Sequence, residues 1–290
     1  MAFEVHQPDS VAQAIRLAAD FGPDARFLAG GTDLIIQINR KRCMPLHLIA
    51  LGGIDGLSGI ERRGNNIVLG AMTTHKAIEQ SVVLQGPLAA LAEAARVVGG
   101  HQIRNVATIG GNVANASPAA DLLPPLLTLD ASVRVTGSAG NRQVPLADFL
   151  RGPGAVDRAV DELLVSLAFA RPPFGAATAF IKAGRRRAME ISIVCVAALL
   201  ALDAYGRCGT VRIALGAVGP TAMRAAAAEQ ALLGCEPTEA ALCEAGRIAA
   251  AGCAPIDDVR ASADYRRMLV QALVPRALRR CLQRIEAGAP

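Results

Sequence analysis

Two glycine pairs with similar surroundings constrain this chain more than any other feature of its sequence. The first is Gly30-Gly31 and the second is Gly110-Gly111; apolar residues precede each pair, and hydroxyl or amide side chains follow. Because glycine accepts positive φ and has no Cβ, another group can approach the main chain closely at both places. Successive N–H groups in such a turn form a concavity that suits phosphate oxygens. One loop of this kind is compatible with an ordinary tight turn, whereas two indicate a ligand with two phosphates or a long polar body.

The residues around each pair predict a strand that leads into a glycine turn. A short strand at 26–29 should enter the first loop, and Thr32 and Asp33 should begin a helix. A similar strand-like approach, ending in Ala107-Thr108-Ile109, is expected before the second pair. The first loop lacks the G-x-G-x-x-G pattern, so a Rossmann dinucleotide site is not indicated.

The length and composition of the chain predict its general class. Its 290 residues exceed the usual single-domain size and indicate two or three packed units. Hydrophobic residues make up 52% and aromatic residues 3%, so we expect a core of Ala, Val, Leu and Ile. The longest nearly uncharged run, 191–202, is shorter than the roughly 20 residues of a membrane span. With no signal-like N-terminal pattern either, we expect a cytoplasmic protein without a membrane span.

The cysteines and histidines are scattered along the chain. The seven cysteines include no pair within four residues of each other, which predicts reduced thiols and no metal or iron–sulfur site. His6, His47, His75 and His101 are equally dispersed, and we expect structural roles for them. Neither a Ser-His-Asp set nor a paired-carboxylate motif can be identified.

The net charge of +5 originates in the C-terminal stretch 260–290, which contains seven arginines and two acidic residues. A basic terminal helix is compatible with nucleic-acid binding, but the stretch has one tyrosine and no recognisable binding motif. We favour a solvated helix face or a subunit contact, and expect no nucleic acid as a partner. A second basic cluster, Arg185-Arg186-Arg187, is compatible with attraction of an acidic acceptor or subunit, or with a solvated turn.

Turn signals and hydrophobic patterning divide the chain into three units. The expected units are 1–56, a compact α/β unit; 57–172, an α+β unit that opens with a hairpin; and 173–290, an α+β unit in which strands precede helices. In the middle unit we expect helices at 88–98 and 119–127 and strands at 132–135 and 163–169. In the last unit we expect strands at 177–182, 192–202 and 211–217 and helices at 224–234, 238–251 and 262–285.

Five segments together resemble one protein family. They are Ala29-Gly30-Gly31, Gln102–Asn105, Thr108-Ile109-Gly110-Gly111-Asn112, Phe180-Ile181-Lys182 and the stretch 260–266. In order and spacing they resemble the FAD-binding medium subunit of the molybdenum hydroxylases, which include aerobic carbon monoxide dehydrogenase and xanthine dehydrogenase. The resemblance covers almost the whole chain. It implies an α+β fold: a two-part FAD-binding region of the PCMH type, with a small N-terminal α/β unit and a larger α+β unit, then a C-terminal α+β domain with an antiparallel sheet and helices.

The resemblance also implies where FAD binds. The cofactor should lie noncovalently between the units 1–56 and 57–172, with its ring covered by the unit 173–290. No catalytic residue and no metal ligand are expected in this chain. The expected cofactor-binding residues are Phe27, Leu28, Ala29, Gly30, Gly31, Thr32, Asp33, Leu34, Val98, Thr108, Ile109, Gly110, Gly111, Asn112, Ser117, Asp121, Leu164, Lys182 and Ile191.

Some of these residues have alternative interpretations. Asp121 either contacts hydroxyl groups of FAD or caps the helix that follows it. Lys182 matches a family lysine that approaches the flavin, where a cation would stabilise negative charge on the reduced ring; otherwise it is a surface lysine. Val98 and Ile191 stand where some relatives have an aromatic residue, so we expect aliphatic groups to cover the ring.

By resemblance, the chain is the electron-transfer subunit of an oxidoreductase. Its partners would be a molybdopterin-binding large subunit and a small subunit with two-iron, two-sulfur clusters, in a dimer of heterotrimers. FAD would pass electrons from those clusters to a small-molecule or protein acceptor. The alternatives are a stand-alone flavin oxidoreductase of the same fold and a non-catalytic nucleotide-binding module.

Overall fold

The N-terminal part of the protein is a parallel α/β unit. The computed structural model describes residues 3–186 and 189–288. The elements of this first unit are β1 (Glu4–His6), α1 (Val11–Phe21), β2 (Ala25–Leu28), α2 (Leu34–Asn39) and β3 (His47–Ala50). In the sheet, β3 lies between β1 and β2 and pairs in parallel with both. The Ser10 hydroxyl caps α1 by accepting a hydrogen bond from the Gln13 amide, which satisfies one of the free donors at the helix start.

The second unit is built on an antiparallel sheet. Its elements are β4 (Ile60–Arg63), β5 (Asn66–Gly70), α3 (His75–Gln80), α4 (Ala89–Arg96), α5 (His101–Val106), α6 (Ile109–Asn115), α7 (Leu123–Thr128), β6 (Ser132–Gly137), β7 (Gly140–Pro145), α8 (Leu146–Phe149), β8 (Leu150–Gly152), β9 (Ala155–Val156) and β10 (Leu163–Ala170). Among the described residues, the five-stranded sheet has the order β4-β5-β10-β6-β7, and β8 pairs with β9 separately. The last strand in sequence, β10, therefore occupies the centre of the sheet.

The C-terminal unit has an antiparallel sheet followed by helices, as the patterning predicted. Its elements are β11 (Ala177–Ala183), β12 (Val194–Leu202), β13 (Cys208–Gly216), β14 (Met223–Arg224), α9 (Ala226–Leu232), α10 (Glu239–Ala251) and α11 (Ala263–Glu286). The strands are ordered β11-β12-β13-β14. The α+β class predicted for the chain is thus confirmed. The unit boundaries at 56 and 172 stay predictions.

Strand β12 is buried on both of its faces, which explains its unbroken apolar sequence. Cys195, Ala197 and Leu199 belong to the hydrophobic core of the second unit. The alternating residues Val196 and Ala198 belong to the core that β12 forms with α10 and α11. Because successive side chains in a strand point to opposite faces, a single strand joins the two cores.

The structure corrects the prediction for the second glycine pair. A helix, α5, lies where the sequence suggested a strand-like approach, and Gly110 and Gly111 lie in the first turn of α6. The Thr108 hydroxyl caps α6 by accepting a hydrogen bond from the Gly111 amide at 3.1 Å. The strand prediction is wrong because a capping threonine before an apolar residue has the same local appearance as a strand end.

Other element predictions also needed correction. The helix expected over 119–127 begins only at Leu123, because Pro124 and Pro125 occupy its first turn, where proline is favoured. The strands β1 and β7 were not predicted. β1 has only three residues, and the exposed β7 lies at one end of its sheet, so neither carries a strong apolar pattern.

The arginines of α11 hold this helix against the rest of the chain. Arg280 donates a hydrogen bond to the Phe180 carbonyl oxygen at 3.2 Å, and Arg284 donates to the Thr178 carbonyl oxygen and to Glu93. Other arginines of the stretch 260–290 are also hydrogen-bonded to groups of the chain: Arg260, Arg266, Arg267 and Arg279. Many of the C-terminal arginines therefore form hydrogen bonds within the chain. The sequence interpretations, a nucleic-acid site or a solvated or subunit-facing helix, did not anticipate this.

Arg266 is the buried member of this set. It is 3% exposed and donates to the carbonyl oxygens of Ile193 at 2.7 Å and Ala217 at 3.0 Å, and to the Asp258 carboxylate at 2.7 Å. We expect Arg266→Met to lower the free energy of unfolding by about 2–4 kcal/mol, because it leaves the carbonyl oxygens of Ile193 and Ala217 without this donor. Asp258 keeps its hydrogen bonds from Arg260 and Ala261. Chemical denaturation measures the change.

The matched control is Arg267→Met, which removes an exposed ion pair with Asp264. It should change the free energy of unfolding by less than about 0.5 kcal/mol. Equal effects of the two substitutions would show that Arg266 does not anchor α11.

Candidate functional site

The two glycine motifs lie at the wall of one cavity. The cavity has a volume of about 310 Å³, within the range of small-molecule sites. A Cβ placed on Gly30 would lie 1.9 Å from the Val106 carbonyl oxygen, and a Cβ on Gly111 would lie 4.0 Å from the Ala29 Cβ. The first loop therefore contacts the residues around the second motif directly, and the two motifs share one space.

Most of the predicted cofactor-binding residues line this cavity. Those at its wall are Phe27, Ala29, Gly30, Gly31, Thr32, Asp33, Leu34, Val98, Thr108, Gly110, Gly111, Asn112 and Leu164. Those that do not line it are Leu28, Ile109, Ser117, Asp121, Lys182 and Ile191. Leu28 follows Phe27 in β2 and so points to the other side of the strand, and Ile109 is fully buried in the core of the second unit. The role of all these residues in binding FAD stays a prediction.

The first loop offers free backbone donors. Gly31 has a φ of 69°, which is the left-handed conformation that favours glycine. The Gly31 carbonyl oxygen accepts a hydrogen bond from the Ile35 amide at 3.1 Å, which closes the turn into α2. Among the described residues, no group accepts a hydrogen bond from the amides of Thr32 and Asp33. These two amides are therefore available to an anionic ligand.

The second motif does not offer such donors, because its amides are already hydrogen-bonded within the protein. They donate as follows: Ile109 to the Thr73 carbonyl oxygen at 2.9 Å, Gly110 to the Ala71 carbonyl oxygen at 2.8 Å, Gly111 to the Thr108 hydroxyl at 3.1 Å, and Asn112 to the Thr108 carbonyl oxygen at 3.0 Å. What this motif presents to the cavity is the Asn112 side chain and the bare surface of its glycines. The main-chain role expected for it is not supported by this hydrogen bonding.

Two residues that line the cavity each contain a buried polar atom without a partner. Among the described residues, His75 Nδ1 and Asn112 Oδ1 are buried without a hydrogen bond. Buried polar side-chain atoms in native proteins are nearly always paired. Both atoms are shielded from the cavity, so a ligand could bond to them only after the side chains turn. The free amides of Thr32 and Asp33 are the groups that fit an anionic cofactor.

Cationic side chains at the same wall were not predicted from the sequence. Arg26 and Arg158 both line the cavity, and the Arg158 guanidinium lies 5.6 Å from the centre of the Phe27 ring. Burial, and then the charge of Arg26, lower the pKa of Arg158. An anionic ligand would relieve the repulsion between the two cations. Arg26 could have been noticed beside the first motif, whereas Arg158 has no sequence signal.

Lys182 and Asp121 form a buried ion pair. The Lys182 ammonium donates to the Asp121 carboxylate at 2.7 Å, to the Glu190 carbonyl oxygen at 2.8 Å and to the Val97 carbonyl oxygen at 3.2 Å. The Ser192 hydroxyl donates to the other Asp121 oxygen at 2.5 Å. Burial raises the pKa of Asp121, while Lys182 and Ser192 oppose that rise. Two alternatives are therefore wrong: Lys182 is not a surface lysine, and Asp121 does not cap a helix.

Two further predicted residues, Ser117 and Ile191, also lie outside the cavity wall. The Ser117 hydroxyl accepts a hydrogen bond from the Ala119 amide at 3.3 Å. Ile191 is 52% exposed and lines a separate cleft with Arg185, Arg186 and Arg260. Arg187, the third member of the basic cluster, lies outside the described residues. The cleft places several positive charges close to the Lys182–Asp121 pair.

The buried His75 makes the stability of the protein depend on pH. Burial, and then the charge of Arg104, lower the pKa of His75 from the ordinary value of 6.5 to about 4. The folded state therefore holds a neutral imidazole, and protons bind preferentially to the unfolded state between these two values. Since each pKa unit corresponds to about 1.4 kcal/mol, we expect His75 to lower the free energy of unfolding by about 3 kcal/mol as the pH falls from 6.5 to 4.

Denaturation curves across this pH range test the effect. In His75→Gln this part of the pH dependence should disappear, because glutamine does not titrate. In His101→Gln, which changes an exposed histidine, it should remain. A pH dependence in His75→Gln as steep as that of the wild type would contradict the assignment.

No helix in the ranges 3–186 and 189–288 combines the length and apolar character that crossing a bilayer requires.

Comparison with known proteins identifies the family. Residues 1–171 match the family described as the FAD binding domain in molybdopterin dehydrogenase, and residues 179–281 match the CO dehydrogenase flavoprotein C-terminal domain. The 6-hydroxypseudooxynicotine dehydrogenase complex subunit alpha of Paenarthrobacter nicotinovorans is 34% identical over 283 residues, covering 98% of this chain and 95% of that protein. The carbon monoxide dehydrogenase medium chain of Hydrogenophaga pseudoflava is 33% identical over 276 residues, covering 95% and 96%.

Solved structures agree with the sequence matches. The carbon monoxide dehydrogenase of Hydrogenophaga pseudoflava that lacks the Mo-pyranopterin moiety superposes with a TM-score of 0.94 at 34% identity, covering 98% of both chains. Quinoline 2-oxidoreductase from Pseudomonas putida 86 gives a TM-score of 0.92 at 30% identity, again covering 98% of both. The chain therefore belongs to the FAD-binding subunits of the molybdenum hydroxylase family: it is an oxidoreductase subunit, and its cofactor is FAD.

Proposed function

We propose that the cavity between the two glycine motifs holds FAD, and that this chain passes electrons from iron–sulfur clusters of a partner subunit through FAD to an external acceptor. The observation that carries the proposal is that both motifs line one cavity, at whose wall the amides of Thr32 and Asp33 have no acceptor among the described residues. The phosphate oxygens of FAD would accept hydrogen bonds from these amides.

The first loop is the best candidate for the pyrophosphate. Thr32 and Asp33 supply free amides beside Gly31, whose positive φ turns successive N–H groups toward the same side. Arg26 and Arg158 add positive charge at the same wall. Free amides together with two cations make this part of the cavity attract anions more strongly than the part beside the second glycine motif.

The flavin ring is proposed to lie toward the Lys182–Asp121 pair. The Val97 carbonyl oxygen accepts a hydrogen bond from Lys182, and the adjacent Val98 lines the cavity, so the ammonium lies close behind this part of the wall. Val98 and Leu164 give the ring aliphatic contacts. When bound, FAD can take up electrons singly and release them as a pair. Because Asp121 offsets the charge of Lys182, the pair would act on a reduced, anionic ring as a dipole, stabilising it where the ammonium is the nearer end.

The proposed partners are a molybdopterin-binding large subunit and a small subunit with two-iron, two-sulfur clusters, in a dimer of heterotrimers. Several relatives are named as parts of larger assemblies, as a medium chain or as a subunit of a dehydrogenase complex. Within this chain we propose that the units 1–56 and 57–172 enclose FAD and that the unit 173–290 covers its ring. Lys182 lies on β11 of the C-terminal sheet, and its ammonium lies behind the cavity wall at the proposed ring site. This position supports the arrangement.

The cavity assignment is tested with Gly111→Val. Gly111 is not at positive φ, and its Cβ would meet only the Thr108 hydroxyl at 3.1 Å and the Ala29 Cβ at 4.0 Å. The fold should therefore tolerate the change, while the valine methyl groups take up cavity space. We expect FAD affinity, measured by fluorescence titration of the flavin-free chain, to fall about tenfold or more, equivalent to about 1.4 kcal/mol.

A glycine at open space provides the control. A Cβ on Gly52 would meet nothing within 4 Å, and this residue does not line the cavity. Gly52→Val should bind FAD like the wild type and unfold at a similar temperature. Full FAD affinity in a folded Gly111→Val chain would place the cofactor elsewhere.

The electron-relay role predicts dependence on partners. The isolated, FAD-loaded chain should accept electrons from dithionite and pass them to an artificial acceptor. It should show no substrate-driven bleaching of the flavin absorbance with carbon monoxide, purines, aldehydes or N-heteroaromatic compounds. Bleaching by one of these substrates should appear only after the molybdenum and iron–sulfur subunits are added.

Other outcomes of the same experiment favour the other functions. Substrate-driven reduction of FAD by the isolated chain would contradict the relay and favour a stand-alone flavin oxidoreductase. A folded chain that carries FAD but cannot be reduced and reoxidised would favour a non-catalytic nucleotide-binding module.

A further inference from the structure

Three side chains that can bind a metal meet at the edge of the N-terminal sheet away from the cavity. Glu4 and His6 lie on β1, two residues apart and so on the same face. His47 is the first residue of β3 and pairs in parallel register with Glu4. It also pairs with Ala25 at the start of β2, whereas the cavity is lined by later residues of β2 and by the loop that follows this strand. None of Glu4, His6 and His47 lines the cavity.

The donor atoms are spaced as ligands of one ion. His6 Nε2 and His47 Nδ1 are 3.1 Å apart, and Glu4 Oε2 lies 3.9 Å from the first and 3.7 Å from the second. A tetrahedral zinc ion with bonds of about 2.0–2.1 Å places its ligand atoms about 3.3 Å apart. The Glu4 side chain is 67% exposed, so its carboxylate can rotate to close the remaining difference.

Phe21 holds the two imidazoles in place. Its ring stacks on His47 with centroids 3.8 Å apart and planes 13° apart, and it lies 4.8 Å from the His6 ring. The histidine side chains are 16% and 22% exposed, enough for an ion to reach them. Because both rings are already ordered, binding an ion to them costs little further side-chain entropy.

We propose that Glu4, His6 and His47 bind a divalent zinc ion, with water as the fourth ligand. Two imidazole nitrogens and one carboxylate oxygen form a donor set that suits Zn²⁺ and not Mg²⁺ or Ca²⁺, which prefer oxygen ligands. The ion would link the short edge strand β1 to β3 and stabilise the folded N-terminal unit. The scattered histidines predicted no such site, because only the parallel pairing of β1 with β3 brings these residues together.

Calorimetric titration of the full-length, untagged, FAD-loaded chain with zinc chloride tests the proposal. The exposed thiols of Cys235 and Cys243 are alkylated first, because thiolates also bind zinc. We expect saturable binding of one Zn²⁺ per chain and a rise in Tm, and neither effect with magnesium chloride. His6→Gln and His47→Gln should each weaken zinc binding by more than about tenfold. Tenfold is the lower limit usual for the loss of an outer-shell partner, and the loss of a direct ligand should cost more.

Two further variants make the outcome decisive. His101→Gln removes an exposed histidine elsewhere and should bind zinc like the wild type. Glu4→Gln changes an exposed side chain, so it should leave the fold intact while weakening zinc binding. The proposal is overturned if the folded wild-type chain takes up no zinc, if Glu4→Gln and the histidine variants bind it unchanged, or if alkylation alone abolishes the uptake.

Discussion

The proposed cofactor cavity depends on backbone contacts that only glycine permits. A Cβ on Gly30 would lie 1.9 Å from the Val106 carbonyl oxygen, and a Cβ on Gly110 would lie 2.7 Å from the Ala71 carbonyl oxygen. At these distances a larger residue would separate the first loop from the second motif, and α6 from the end of β5. The two glycines therefore act first as packing residues. The cavity is the space that remains beside these contacts.

The two motifs, similar in sequence, contribute differently to that space. The first loop keeps the Thr32 and Asp33 amides free of partners within the described residues, and cationic side chains lie at the same wall. The second motif uses its amides in the capped first turn of α6 and presents the Asn112 side chain instead. This division gives the cavity an anion-attracting end at the first loop and, around Gly110 and Gly111, a neutral region without free backbone donors. Such a gradient matches a ligand with phosphates at one place and hydroxyl or ring atoms at another.

The C-terminal unit is joined to the cofactor region by both packing and charge. The alternating faces of β12 belong to two hydrophobic cores, so the sheet cannot move away from the second unit without exposing apolar surface. Lys182 on β11 is bonded to Asp121 and to the Val97 carbonyl oxygen of the second unit. Arg284 of α11 adds bonds to Glu93 of α4. The position of the proposed ring site is thus set by contacts between units that are distant in sequence.

The sequence alone determined the features that depend on neighbouring residues. Turn signals, glycine loops and apolar periodicity were enough for most strands and helices and for the α+β class. The family was indicated by a resemblance in five segments, two of which are the glycine motifs, and most residues of the proposed site adjoin those motifs. Local pattern failed at Thr108, where a helix cap resembled the end of a strand.

Only the tertiary structure decided which distant groups meet. Arg158 and His75 reach the cavity from positions far in sequence from the first glycine motif. The Lys182–Asp121 pair joins two units, and His6 meets His47 through parallel strand pairing. The charge pattern of the C-terminal stretch suggested a solvated face, yet Arg266 is buried among carbonyl groups. The physical reason is that burial, pairing and pKa depend on what the folded chain brings within a few ångströms. Residue order along the chain does not specify those neighbours.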